Sequence, residues 1–252
     1  MKLTPEMLTG KSREHLINLP TPHSPNHFLQ AEAMKAFQGL QQSAAKNGFN
    51  LQPASSFRDF ERQQLIWNGK FNGERKVHDD AGNPLDLALL DDWQKAQAIL
   101  RWSALPGGSR HHWGTEIDIF DPDLLPQGQS LQLEPWEYES GGYFFELSEF
   151  LTENLPHFDF ALPFISQPEG KKVGREPWHI SYLPLAEQAS RLFTPDVLLQ
   201  VWQNENVICI DRIDRSEHIL CTWVHRLTSF DQIIHTKFSE NLVHPFSDGY
   251  CN

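Results

Sequence analysis

Ser109-Arg110-His111-His112-Trp113-Gly114-Thr115-Glu116-Ile117-Asp118 is the stretch on which the reading of the chain turns. Ile117 and Ile119 alternate with Glu116 and Asp118, the two-residue period of a strand with one apolar face. His111 precedes Asp118 by 7 positions, with Gly114 between them. A strand that starts after Gly114 lets the glycine turn the backbone so that His111 comes back towards Asp118. A lone histidine in a sheet is ordinarily structural. An imidazole and a carboxylate brought together are two of the three protein ligands of a catalytic zinc. His112 is the competing ligand, and the spacing to the glycine favours His111.

The third ligand and a base are expected from Glu176-Pro177-Trp178-His179. Residues three apart in a strand point to opposite faces, so a bend at Pro177 is needed for Glu176 to lean over the site while His179 binds the ion. Two imidazoles and one carboxylate leave one position for water, whose pKa the metal lowers towards about 7. Glu176 then stands where a general base would.

Working outward, residues 26–46 carry apolar side chains at three- and four-residue steps and predict a helix ended near Gly48. Residues 50–57 read as a strand, Asp59 to Trp67 as a helix capped near Asp59, and 90–104 as a helix started by Asp91 or Asp92. Pro106-Gly107-Gly108 turns the chain into residues 110–120, and 121–141 read as a loop. Residues 143–154 look helical and Trp178 to Tyr182 extended. Beyond 185 the pattern is helical, with Thr194-Pro195 as a start signal and a further run over Ser216 to Leu227. The expected class is α+β: a small, mostly antiparallel sheet with flanking helices, the metal site on the sheet and a helical C-terminal extension. The division is an N-terminal arm over 1–25, a core over 26–185 and an extension over 186–252 packed on the core.

Lys and Arg number 21 against 33 Asp and Glu, a net charge of −12. That balance speaks against nucleic acid and against broad contact with an anionic membrane or wall, and suits a small soluble substrate. Cys209, Cys221 and Cys251 are odd in number and widely spaced, matching neither a disulfide framework nor a metal knuckle. With no apolar run long enough for a signal-peptide core or a membrane span, the expected location is cytoplasmic. Oligomeric state stays open. His78 and His157 are read as surface residues.

Ser-x-His-x-x-Gly-x-x-x-Asp followed by Glu-x-x-His, over about residues 25–185, resembles the signature of the M15 peptidases, specifically the VanY-type D-alanyl-D-alanine carboxypeptidases. Their relatives include VanX dipeptidases, phage endolysins and the hedgehog signalling domain. The resemblance implies one zinc per chain on His111, Asp118 and His179, with Glu176 as the base. Ser55 to Gln63 is similar to a further family segment, which implies that Arg58 stabilises the oxyanion or holds a substrate carboxylate. On the same likeness Gln63 and Ser109 are expected on the substrate side. The implied substrate is a small peptide or muropeptide of peptidoglycan type ending in D-alanine, cut at a D-Ala-D-Ala or an L-D bond. The rival readings are a wall-cutting endopeptidase and a non-catalytic zinc-containing binding module. One departure stands out: where the family has a small alanine two residues before the aspartate, this chain has Glu116. Its carboxylate either supports a ligand histidine or Arg110, or points to solvent at a strand end. The solvent reading is preferred.

Overall fold

The computed structural model describes residues 2–21, 26–79, 82–165 and 173–202. In chain order these form α1 (Pro5–Leu8), β1 (Ile17–Leu19), β2 (His27–Leu29), α2 (Ala31–Lys46), β3 (Gln52–Ser55), α3 (Phe60–Phe71) and α4 (Asp92–Leu100). They continue with β4 (Glu116–Phe120), α5 (Phe145–Asn154), β5 (Phe160–Ala161), β6 (His179–Tyr182), α6 (Leu183–Leu192) and α7 (Pro195–Trp202). The α+β class holds. The principal sheet runs β3-β4-β6-β5 with every neighbouring pair antiparallel, and β1 pairs with β2 as a separate ribbon.

The alternation in β4 does what its sequence requires. Ile117, Ile119 and, on β6, Ile180 are fully buried in one apolar cluster with Phe37 and Leu40 of α2 and Leu147 and Leu151 of α5. The intervening Glu116 and Asp118 turn to the opposite face, and β6 sets Ser181 opposite Glu116 and His179 opposite Asp118. One face of the sheet is therefore fixed by hydrophobic burial, and its polar face follows by period alone. A second cluster joins Phe60, Trp67 and Phe71 of α3 to Ile99 of α4 and Trp113. Met7 and Leu8 of α1, Ala186 and Ala189 of α6, and Leu198 and Trp202 of α7 pack into it.

Asp59 caps α3 by accepting from the Arg62 N–H at 2.8 Å, and Asp91 with Gln94 forms a reciprocal cap on α4. Several boundaries differ from the sequence reading, among them the end of α3, which runs on to Phe71. Residues 27–29 are strand, because His27 and Leu29 are buried in the β1–β2 ribbon and the Gln30 N–H bonds to the Gly114 carbonyl, so the helix begins only at Ala31. The fourth helix stops at Leu100, where the Trp102 and Ser103 N–H groups both turn back onto the Ile99 carbonyl. The expected helix over Ser216 to Leu227 lies outside the described residues. Among the described residues no helix is long and apolar enough to cross a membrane.

Candidate metal centre and substrate cleft

Asp118 lies at the centre of the polar face. β4 sets it opposite His179 on one side and Ser55 on the other. His111 arrives from the short 3-10 turn Arg110–Trp113, which Gly114 ends in the left-handed region at φ 67. The left-handed backbone favours glycine, and a Cβ there would also have to push the Leu16 side chain aside, since it would meet Cδ2 at 2.1 Å. The ligand-type atoms of His111, Asp118 and His179 all lie within 4.8 Å of one another, and the three residues are buried. The two imidazoles meet edge-on with centroids 4.9 Å apart.

The far nitrogen of each imidazole is committed elsewhere. His111 Nδ1 is 2.7 Å from the Ser56 carbonyl, which can only accept, so Nδ1 carries the hydrogen. Its Nε2 lone pair then faces Asp118 Oδ2 at 3.3 Å. Burial, the largest influence, pushes the His111 pKa down, which keeps the ring neutral. A lone pair set against a carboxylate oxygen at that distance calls for a cation between them. His179 Nε2 bonds Glu116 Oε2 at 2.7 Å, while its Nδ1 lies 3.0 Å from Asp118 Oδ1. Burial opposes a charge on His179, but the bonds and charges of Asp118 and Glu116 outweigh it and raise the pKa to about 9. The donor set thus fits a divalent ion through His111 Nε2, Asp118 and His179 Nδ1, with each histidine held from behind by a carbonyl or a carboxylate.

Glu116 does not point to solvent. It is fully buried, and Oε1 accepts from Arg110 at 3.0 Å, from Ser181 Oγ at 2.7 Å and from Thr115 Oγ1 at 3.0 Å. Burial disfavours its ionisation, yet Arg110 and His179 hold it well below the usual carboxylate range. The solvent reading overlooked the partner strand: Ser181 opposite Glu116 closes that side, and Arg110 reaches both from the preceding turn. Asp118 is likewise held low, against its burial, by the two imidazoles beside it.

His112 is occupied structurally. Its Nδ1 donates to the Arg58 carbonyl at 2.6 Å and its Nε2 accepts from the Gly107 N–H at 3.1 Å. Burial drives its pKa down to about 3. With both nitrogens engaged by backbone, it has none left for a metal.

Glu176 and His179 are joined by a turn in which the His179 N–H bonds the Glu176 carbonyl at 3.2 Å, with Pro177 next to the start. This brings Glu176 Oε2 to 3.8 Å from His179 Nδ1, beside the donor set. Arg58 follows β3, and its Nη1 donates to Gln63 Oε1 at 2.8 Å while Gln63 Nε2 donates to the Ala104 carbonyl at 2.6 Å. Gln63 is fully buried behind Arg58, with both ends of its amide engaged, so it aims the guanidinium. Ser109 and Arg58 line a cleft of about 330 Å³ that also holds His111, Asp118, Glu176 and His179.

The cleft extends well past the donor set, to Lys70, Lys76, Trp102 and the 132–134 loop. The sequence offered no motif for that end. The buried Glu137 shapes it by accepting the Gln132 and Glu134 N–H groups at 3.2 and 3.1 Å. His78 is no free surface residue, because it lines this cleft and pairs with Glu134 at 3.4 Å. His157 is exposed, as expected.

With known proteins, the family profile described as VanY, D-alanyl-D-alanine carboxypeptidase, matches residues 26–185. Two uncharacterized proteins of Haemophilus influenzae match over 105 and 107 residues at 86% and 74% identity. Each match covers 42% of this chain, and 72% and 82% of the respective relatives. Among solved structures, a vancomycin-resistance D,D-pentapeptidase VanY mutant in complex with Zn(II) is similar at 23% identity and a TM-score of 0.47, over 71% of this chain and 85% of that one. VanYB in complex with D-alanine-D-alanine is similar at 21% identity and a TM-score of 0.47, over 77% and 92%.

Proposed function

The chain belongs to the VanY family of D-alanyl-D-alanine carboxypeptidases, and we propose that it is a zinc peptidase that removes the C-terminal D-alanine from peptidoglycan-type peptides. The observation that carries this is the pair of imidazoles tied from behind, with the remaining lone pair of His111 turned onto Asp118. Two nitrogens and a carboxylate within one ion's reach are the donor set of a catalytic zinc with an open position. Zinc, when bound there, supplies Lewis-acid polarisation of the scissile carbonyl and makes water a stronger acid.

The rest is the work of the chain's own side chains. Glu176 takes the proton of the attacking water and returns one to the leaving amine. Arg58, pre-aimed by Gln63, offsets negative charge on the substrate, at the oxyanion or at the terminal carboxylate. Ser109 forms part of the cleft wall beside them. The test is D-alanine release from defined muropeptides with and without a chelator. Release that stops on chelation and returns with one equivalent of zinc is expected, and release unaffected by full metal removal overturns the reading.

Glu116 fixes the rotamer and tautomer of His179 from the far side. Glu116→Gln is expected to weaken zinc binding about tenfold to a hundredfold, the scale of changes behind a metal ligand, as measured by competition with a chelator. Complete loss of metal would make Glu116 a ligand itself.

A further inference from the structure

Arg58 is held at both ends by one loop. Gln63, which aims the guanidinium, is itself anchored on the Ala104 carbonyl at 2.6 Å. His112, which accepts from the Gly107 N–H at 3.1 Å, donates to the Arg58 carbonyl at 2.6 Å. The segment 104–108 is a tight turn, closed by the Gly108 N–H on the Leu105 carbonyl at 2.8 Å. A shift of this loop carries the side chain and the backbone of Arg58 with it. The metal ligands have anchors of their own: His111 is tied to the Ser56 carbonyl, and β4 and β6 hold Asp118 and His179 in register.

What holds the loop comes from near the other end of the described chain. Trp202, the last residue of α7, is buried and donates its indole Nε1–H to the Pro106 carbonyl at 2.8 Å. Leu198 packs on the next residue, where a Cβ added to Gly107 would meet Leu198 Cδ1 at 2.9 Å and Phe60 Cε2 at 3.3 Å. Leu198 and Trp202 stand four apart on one helix, so a single face of α7 makes both contacts. Pro106 is buried, so its carbonyl is costly to leave without that donor. α7 lies beyond residues 26–185, where the family match ends.

We propose that α7, through Trp202 and Leu198 on the 104–108 loop, positions Arg58 for substrate, which makes the C-terminal helix a working part of the catalytic centre. This rests on the carboxypeptidase reading, in which Arg58 meets negative charge on the substrate. Trp202 touches no substrate and is a positioning residue.

Trp202→Phe keeps an aromatic ring in the apolar cluster and removes the donor. Leu198→Val is the second probe: it thins the contact on Gly107, leaves the indole bond in place, and carries the test if Trp202→Phe does not fold. In the zinc-loaded full chain, Trp202→Phe is expected to lower kcat/KM for D-alanine release from acetyl-Ala-D-Ala-D-Ala about tenfold, within the hundredfold or so that a misplacement of about 1 Å costs. Zinc affinity, read by competition with a chelator, should not change. The deciding measurement is the double-mutant cycle with Arg58→Ala. In that background either probe should cost less than about twofold, since the group it positions is gone. A general loss of stability would lower kcat/KM equally in both backgrounds. An equal loss, or undiminished kcat/KM in a folded probe variant, overturns the proposal and leaves the carboxypeptidase reading intact. Loss of zinc in that variant overturns it too, because the loop would then act on the metal centre rather than on Arg58. If the unmodified protein releases no D-alanine, the carboxypeptidase reading falls, and calorimetric binding of the same peptide decides the role of α7. An affinity loss that disappears in the Arg58→Ala background supports it, and an equal loss or none overturns it.

Discussion

Glu176→Gln is expected to leave zinc bound while lowering the rate of D-alanine release by about a hundredfold to ten-thousandfold, the usual share of general acid–base catalysis. The side chain is only 8% exposed, lines the cleft, and holds its Oε2 3.8 Å from His179 Nδ1. It therefore stands beside the three-residue donor set without belonging to it. Glutamine keeps the shape and can still accept a hydrogen bond from water, but it cannot take the proton. Metal content and peptide affinity should survive, and affinity can rise because a negative charge next to the substrate is gone. Zinc content and D-alanine release are measured on the same purified sample. Full zinc with unchanged turnover removes Glu176 from the mechanism. Full zinc with no turnover in the unmodified protein, across D-alanine-terminated and longer stem peptides, favours a binding module instead.

Legibility in the sequence followed the range of the interactions. Ile117 and Ile119 announce β4 because alternation is local, and Asp59 announces the start of α3 because a cap reaches only three residues ahead. Pro177 announces a bend for the same reason. The three-residue strand β2 was hidden because His27 and Leu29 complete too little of a two-residue period to compete with the helical spacing that follows. What stayed hidden in the site depends on register. That Glu116 meets Ser181 and His179 follows from which residues β4 and β6 set opposite each other, and no spacing within either segment encodes that pairing. The Ser56 carbonyl behind His111 is backbone, invisible to residue type. The far end of the cleft draws on α3, the segment after it, Trp102 and the 132–134 loop, four stretches that only the fold brings together.

His179→Ala is expected to abolish zinc binding and hydrolysis, and the partners of this side chain explain why it matters so much. His179 lies between Asp118 and Glu116, bonded to each. Burial works against its charge, but the two carboxylates prevail and lift its pKa to about 9 from an ordinary 6.5. Zinc binding through Nδ1 therefore competes with a proton. The sign of the pH dependence follows. A raised folded-state pKa contributes stability that is fully present below pH 6.5 and is lost as pH rises through 9. Apparent zinc affinity moves the opposite way over the same window, approaching tenfold per pH unit because one proton is released. Removing the imidazole takes away one of the three ligands. Glu116 keeps Arg110 and Ser181, so the fold should persist on its two apolar clusters. Zinc titrations at pH 6.5, 7.5 and 8.5 should show rising affinity in the unmodified protein and almost no binding in the variant. A His179→Ala protein that still holds one equivalent of zinc would remove His179 from the ligand set, and the reading of Glu116 as its support would fall with it.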